Sequence, residues 1–130
     1  MRLRSVLLAA ALLPVVAACG GGDGVDKKTS CDQMKNAINS IGTLQVKENG
    51  EGADNFAEIY SGAATKIRTA ANASEDANVK SAGTEVADAL DELAKAQNSA
   101  DPGGSPEALE ASSKLATAAG SFEKHCGPVE

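Results

Sequence analysis

Large apolar side chains are scarce in this chain, but they recur at the spacing of an α-helix. After Cys19, Leu, Ile, Val and Phe make up about one residue in seven, which approaches the level of disordered chains. Alanine, the best helix former, is abundant, and no segment alternates apolar and polar residues between hairpin turns. The pattern therefore predicts an all-α domain with a small core.

Four segments carry the helical spacing, and capping residues mark their starts. We predict helices over 31–47, 54–72, 75–99 and 106–126. The predicted N-terminal caps are Ser30 with Gln33, Asn55 with Glu58, Ser74, and Ser105 followed by Pro106. Short connections favour antiparallel neighbours, so residues 30–127 are expected to form an antiparallel up-down-up-down four-helix bundle.

Each predicted helix has one apolar face. The face of the first helix consists of Cys31, Met34, Ile38 and Ile41, widened by Ala37 and Leu44. The faces of the second, third and fourth helices are, in order, Phe56, Ile59, Tyr60, Ala63, Ile67 and Ala70; Val79, Ala82, Val86, Ala89, Leu90, Leu93 and Ala96; and Leu109, Ser112, Ala116, Ala119, Phe122 and Cys126. Gly62 lies inside the second predicted helix, where glycine lowers helix stability by about 1 kcal/mol relative to Ala unless it permits close packing.

Cys31 opens the first predicted helix and Cys126 closes the fourth. In an up-down-up-down bundle these two ends can lie side by side, and both cysteines continue the apolar face of their helix. We therefore predict a disulfide between them, closing the bundle, with two buried free thiols as the alternative. A loop of this size gives about 4–5 kcal/mol in the chain-entropy treatment.

The N-terminus has the layout of a bacterial secretory leader. Arg2 and Arg4 precede a short apolar run over residues 6–15, which is too short for a clear transmembrane helix. The following Val16-Ala17-Ala18-Cys19 resembles the lipobox of bacterial lipoproteins. That resemblance implies removal of residues 1–18 and attachment of diacylglycerol to Cys19. The alternative is an ordinary secretory signal that leaves Cys19 as a thiol.

The lipobox resemblance places the domain on the extracytoplasmic face of the cell membrane. Two acyl chains anchor stably, whereas one anchors only marginally. Residues 19–29 are Gly-rich and polar, which predicts a flexible tether. After the leader the chain has 18 acidic and ten basic residues, and this excess of negative charge argues against nucleic acid as a partner.

Candidate chemistry is sparse. His125 is the only histidine and adjoins Cys126, but a zinc site needs three or four ligands and a catalytic pair needs a free thiolate. We expect His125 to be a cation at a helix C-terminus. Glu85, Asp88 and Glu92 share one helix face, which is either a solvated face or a surface for a basic partner.

The leading hypothesis is a non-catalytic interaction module, held near the membrane and contacting a membrane-proximal protein or the cell wall. The alternative is a lipoprotein that binds a small apolar molecule or a metal between its helices. That alternative predicts a cavity lined by the small residues that face Phe56, Tyr60 and Phe122. An enzyme is the least favoured class, because no activated nucleophile or metal set is present, and no cofactor is expected.

Overall fold

The fold is known from a computed structural model, which describes residues 24–48, 55–99 and 104–129. Within them the chain forms helices α1 (Lys27–Glu48), α2 (Phe56–Ala73), α3 (Ala77–Gln97) and α4 (Pro106–Cys126). The predicted all-α, up-down-up-down bundle is confirmed. The predicted leader, the lipobox and Cys19 lie outside the described residues.

α3 is the central helix of the bundle. It packs along α2 on one side and α4 on the other, while α1 packs mainly against α2. α1 and α4 approach each other closely in only a few places. One of these is the predicted disulfide, in which Cys31 and Cys126 are bonded with their Cα atoms 5.3 Å apart. This bond therefore links two helices that share little other contact.

The core is built from small side chains around a few large ones. Ten residues of α3 are buried, among them every member of its predicted face. Gly83 is also buried, and a Cβ there would collide with Met34 and lie 2.7 Å from the Cβ of Ala71. α1, α2 and α3 therefore approach each other closely at Gly83, where no larger side chain would fit.

The predicted face of α4 is wrong in the first half of the helix, whereas Phe122 is buried as predicted and Cys126 packs against the core. Leu109 is 65% exposed, and Ser112 and Ala116 are also exposed. The residues that α4 buries are Ala108, Ala111, Ala118 and Phe122. Alanines let the backbones of α3 and α4 come close, so the smallest side chains occupy the interface and the bulkier Leu109 is turned to solvent. The α1 face is correct at Cys31, Met34 and Ala37, whereas Ile38 and Ile41 are only partly buried and Leu44 is exposed.

α1 begins four residues before its predicted start, and Ser30 is not its cap. The cap is Asp26, whose carboxylate accepts hydrogen bonds from the backbone N–H and the hydroxyl of Thr29. Ser30 lies inside the helix, fully buried, and its hydroxyl donates to the carbonyl of Val25. Residues 24–29, predicted to be tether, therefore belong to the folded domain.

Two other predicted caps also differ. Asn55 precedes α2 but its side chain makes no capping hydrogen bond. Asp76, not Ser74, caps α3, by accepting from the backbone N–H groups of Asn78 and Val79. Ser74 supports this turn, because its hydroxyl accepts from the N–H of Asp76. Ser105 caps α4 as predicted, accepting from the N–H of Ala108.

The two aspartate caps make stability sensitive to acid. Hydrogen bonds from Thr29 lower the pKa of Asp26, and the N–H of Val79 is the main cause that lowers the pKa of Asp76, both from an ordinary value of 3.8. A carboxyl whose pKa is lower in the folded state stabilises that state above its unfolded pKa. This stabilisation is lost as the pH falls through the folded pKa.

We expect the melting temperature of the wild type to fall more steeply below pH 3.8 than that of an Asp26→Asn/Asp76→Asn variant. Asparagine also caps helices but does not titrate. Thermal melts followed by circular dichroism across this range test the expectation, with Asp32→Asn as a control on an exposed carboxylate. Parallel curves for the wild type and the double variant would contradict it.

Candidate functional site

The three predicted acidic residues line one groove between α3 and α4. Glu85, Asp88 and Glu92 form its α3 wall, and Ser113, Lys114 and Thr117 form its α4 wall. The buried Ala89 and Ala118 lie at its base. The groove is open to solvent along its length, so it offers a surface for a chain or a helix and does not enclose a small molecule.

Two of the three acidic residues already have partners on neighbouring helices. Asp88 pairs with Arg68 of α2 at 2.7 Å, and the same guanidinium reaches Asp91 at 2.8 Å. Glu92 pairs with Lys114 of α4 at 2.8 Å. These pairs are partly exposed, so solvent screens them and each contributes little to stability. They orient Asp88 towards α2 and Glu92 towards α4.

Glu85 has no such ion pair among the contacts described for it. It accepts a hydrogen bond from the hydroxyl of Ser81 at 3.3 Å, and its side chain is exposed. Of the three predicted acidic residues, it therefore has the weakest ties within the domain. Any basic group entering the groove would meet the carboxylate of Glu85 without first displacing an arginine or a lysine.

The groove continues past Glu92 towards the start of α4. Lys95, Ala96, Ser99, Glu107 and Glu110 line this second part, which shares Glu92 and Lys114 with the first. Lys114 lies at the junction, bound to Glu92 and, at 3.1 Å, to Glu110. Hydrogen bonds from these two carboxylates raise the pKa of Lys114, Glu92 being the larger cause. We call the two parts together the α3–α4 groove.

The charge of the α3–α4 groove stays negative after these pairs are counted. Five carboxylates and two ammonium groups line it. The acidic residues are Glu85, Asp88, Glu92, Glu107 and Glu110, and the basic ones are Lys95 and Lys114. Arg68 neutralises part of the remaining charge from the α2 side. The acidic stripe predicted from the sequence thus forms one wall of an acidic groove.

The sequence did not reveal the cation partners. Glu110 with Lys114 could be predicted as neighbours four residues apart, and this pair is present. Asp91 and Lys95 have the same spacing, which favours an ion pair within one helix, but Asp91 binds Arg68 across the α2–α3 interface. The pairing depends on how α2 and α3 are rotated against each other, which spacing within one helix does not specify.

The other two candidate residues, His125 and Cys126, lie together at the end of α4. His125 is partly buried in the last turn of α4. Cys126 is bonded to Cys31 and supplies no thiolate. Within residues 24–48, 55–99 and 104–129, no group of three or more His, Cys, Asp or Glu side chains could hold a metal ion.

The aromatic residues are not arranged around any of the grooves described here. Phe122 is fully buried in the core, and the rings of Phe56 and Tyr60 stack with centroids 6.4 Å apart. None of the three lines the α3–α4 groove or the depressions between α2 and α3 or α1 and α2. The cavity that an apolar ligand would require at these residues therefore has no counterpart among these grooves.

Comparison with known proteins adds no constraint on this site. The chain matches no family model, no curated protein and no solved structure. None of the helices in the described part of the chain has the length and apolar character needed to span a bilayer.

Proposed function

We propose that this protein is a lipid-anchored extracytoplasmic lipoprotein whose bundle acts as a non-catalytic interaction module. The anchor is the diacylglyceryl group that the lipobox resemblance implies for Cys19. The interaction surface is the α3–α4 groove, and its partner is a basic segment of a membrane-proximal protein or of another cell-wall component. The observation that carries the proposal is the excess of carboxylates along one continuous open groove.

The shape of the groove supports a macromolecular partner over a small one. Its base of alanines is shallow, and both walls carry charged groups that remain in contact with solvent. Interfaces of this kind gain on-rate and specificity from charge complementarity more than they gain raw affinity. A basic segment could pair with Glu85 and Glu107, while the internal pairs of Asp88 and Glu92 hold the walls in place.

Site-specific photo-cross-linking on intact cells tests the surface. A photoreactive amino acid at Thr117, which is exposed in the α3–α4 groove, is expected to capture one dominant partner. The matched control is the same amino acid at Thr65, which is exposed in the groove between α1 and α2. Mass spectrometry of the cross-linked species identifies the partner.

Charge reversal then tests the chemistry. Glu85→Lys should reduce the yield of the Thr117 cross-link several-fold, whereas Glu58→Lys, on an exposed carboxylate of α2, should leave it unchanged. Equal cross-linking from Thr117 and Thr65, or no effect of Glu85→Lys, would remove the α3–α4 groove from the proposal. Cys19→Ser should abolish the cross-link if the partner is reached only from the membrane.

A further inference from the structure

The segment just after the predicted lipid site is held against one end of the bundle. The N–H of Val25 donates to the carbonyl of Ala73 at 2.6 Å, and the N–H of Glu75 donates to the carbonyl of Val25 at 3.1 Å. Gly24 lies so close to this connection that a Cβ there would be 2.5 Å from Cγ of Glu75. Val25 thus forms a parallel bridge with Ser74, in the turn between α2 and α3.

The same end of the bundle holds the disulfide. Cys31 lies in the second turn of α1 and Cys126 is the last residue of α4, and both lie at the end where α2 stops and α3 starts. We call this the disulfide end. It consists of the start of α1, the end of α2, the start of α3 and the end of α4. The chain leading back to Cys19 therefore leaves the domain from the disulfide end.

Covalent geometry limits how far the disulfide end can be from the anchor. Five residue steps separate Cys19 from Gly24, and a fully extended chain covers at most about 18 Å over that length. The helices are about 30 Å long, from 1.5 Å per residue. The opposite end of the bundle therefore cannot be brought to the bilayer while the disulfide end stays bridged to Val25, unless the bundle lies on its side.

Charge is distributed unequally along the bundle. In the half nearer the disulfide end, seven basic residues accompany six acidic ones: Lys27, Lys28, Lys35, Lys66, Arg68, Lys80 and Lys124, with Asp26, Asp32, Glu75, Asp76, Glu85 and Glu123. In the opposite half, two basic residues accompany six acidic ones: Lys95 and Lys114, with Glu58, Asp88, Asp91, Glu92, Glu107 and Glu110.

These counts cover the residues whose side chains the structure describes. Bacterial and other membranes with anionic lipid attract cations and repel anions near their surface, over about a Debye length. Lying side-on would bring the acidic half against the bilayer, whereas standing on the disulfide end keeps it away. The bridge at Val25 and the charge distribution are independent observations, and they favour the same orientation.

We propose that the disulfide end is a membrane-facing surface, on which the bundle stands upright over an anionic bilayer, with its acidic half turned outward. This rests on the lipid anchor of the proposed function and adds its geometry. The occupant of the surface is the headgroup layer of the membrane that holds Cys19. The second part of the α3–α4 groove, near Glu107, is then directed away from the bilayer, where a partner can reach it.

Tryptophan fluorescence can measure this orientation, because the chain contains no tryptophan. Asn78→Trp places a probe on an exposed residue at the disulfide end, and Leu109→Trp places one on an exposed residue near the opposite end. The two sites are about 24 Å apart along the bundle axis, from 1.5 Å per residue. The lipidated full chain is reconstituted into phosphatidylethanolamine–phosphatidylglycerol vesicles that carry an energy acceptor on a fraction of the lipid headgroups.

Energy transfer from position 78 is expected to exceed that from position 109 at least twofold, given this axial separation. Insertion of ten Gly and Ser residues between Cys19 and Gly24 should lower this ratio, because the tether then no longer limits the distance and only the charge distribution still favours the orientation. Equal transfer in the uninserted protein, or greater transfer from position 109, would overturn the orientation. Failure of the wild type to float with the vesicles would instead overturn the anchor, and the orientation with it.

Discussion

Replacement of both cysteines of the Cys31–Cys126 bond by alanine is expected to lower the free energy of unfolding by about 4–5 kcal/mol. The bond joins residues 95 positions apart, so nearly the whole domain lies within the loop that it closes. In the chain-entropy treatment, a loop of roughly 100 residues corresponds to about 4.7 kcal/mol. For a domain of this size the melting temperature should then fall by roughly 15–30 °C.

The packing of the bundle makes this effect large relative to the stability that remains. α1 and α4 share few other close approaches, so nothing else of comparable strength joins the first helix to the last. The core contains only a handful of large side chains, with Phe122, Met34, Ile67 and Leu90 among the fully buried ones. A small core of this kind leaves a narrow margin of a few kcal/mol, which the loss of the bond can exceed.

Urea unfolding followed by circular dichroism measures the effect, in a Cys19→Ser background that removes the remaining thiol. The wild type under strong reductant should reproduce the behaviour of the double alanine variant. A reduction in the free energy of unfolding of less than about 1 kcal/mol would show that the helices hold together without the bond, contrary to the chain-entropy expectation.

The disulfide could be predicted because the pairing depends on two features that can be read from the sequence. The cysteines lie at the outer ends of the first and last helical segments, and up-down topology brings those ends together. Neither feature requires the exact rotation of a helix. The face of α4 does require it, and there the prediction failed at Leu109, which is exposed although it is the largest apolar residue in the first turns of α4.

The start of α1 shows a second limit of sequence reasoning. Ser30 followed by Gln33 has the spacing of a capping box, and locally that is a sound start. The helix extends back to Lys27 because Val25 is fixed by hydrogen bonds to the turn after α2, some 50 residues later in the chain, and Asp26 can then cap the helix. No local signal reveals a bridge of this range.

The candidate site was predictable only in part, because spacing within one helix is visible in the sequence and contacts between helices are not. Three carboxylates at helical spacing are visible in the sequence, and they do line one wall of a groove. Whether they are free is decided by Arg68 and Lys114, which come from α2 and α4. Their involvement depends on the interhelical rotation and distance, so only the structure identifies Glu85 as the carboxylate with the weakest ties.

Gly83→Ala is expected to destabilise the domain by about 1–3 kcal/mol, the usual cost of inserting a methyl group into a close-packed interior. The new Cβ would collide with Met34 and lie 2.7 Å from the Cβ of Ala71, and both of these side chains are fully buried. Alanine is favoured over glycine in helices by about 1 kcal/mol, but that gain cannot offset a collision that moves two packed helices.

Gly62→Ala is the matched control and should have the opposite sign. Gly62 is exposed in the middle of α2, and no atom outside its local surroundings lies within 4 Å of a Cβ placed there. The close-packing explanation for this glycine therefore does not hold, and alanine should raise the free energy of unfolding by up to about 1 kcal/mol.

Urea titrations of both variants against the wild type measure these two changes. Opposite shifts of the unfolding midpoint would mean that the bundle is held at a fixed helix separation by its smallest residues. Stabilisation by both substitutions would mean that Met34 can rotate away from Gly83, and that the α1–α2–α3 interface is looser than its buried side chains indicate.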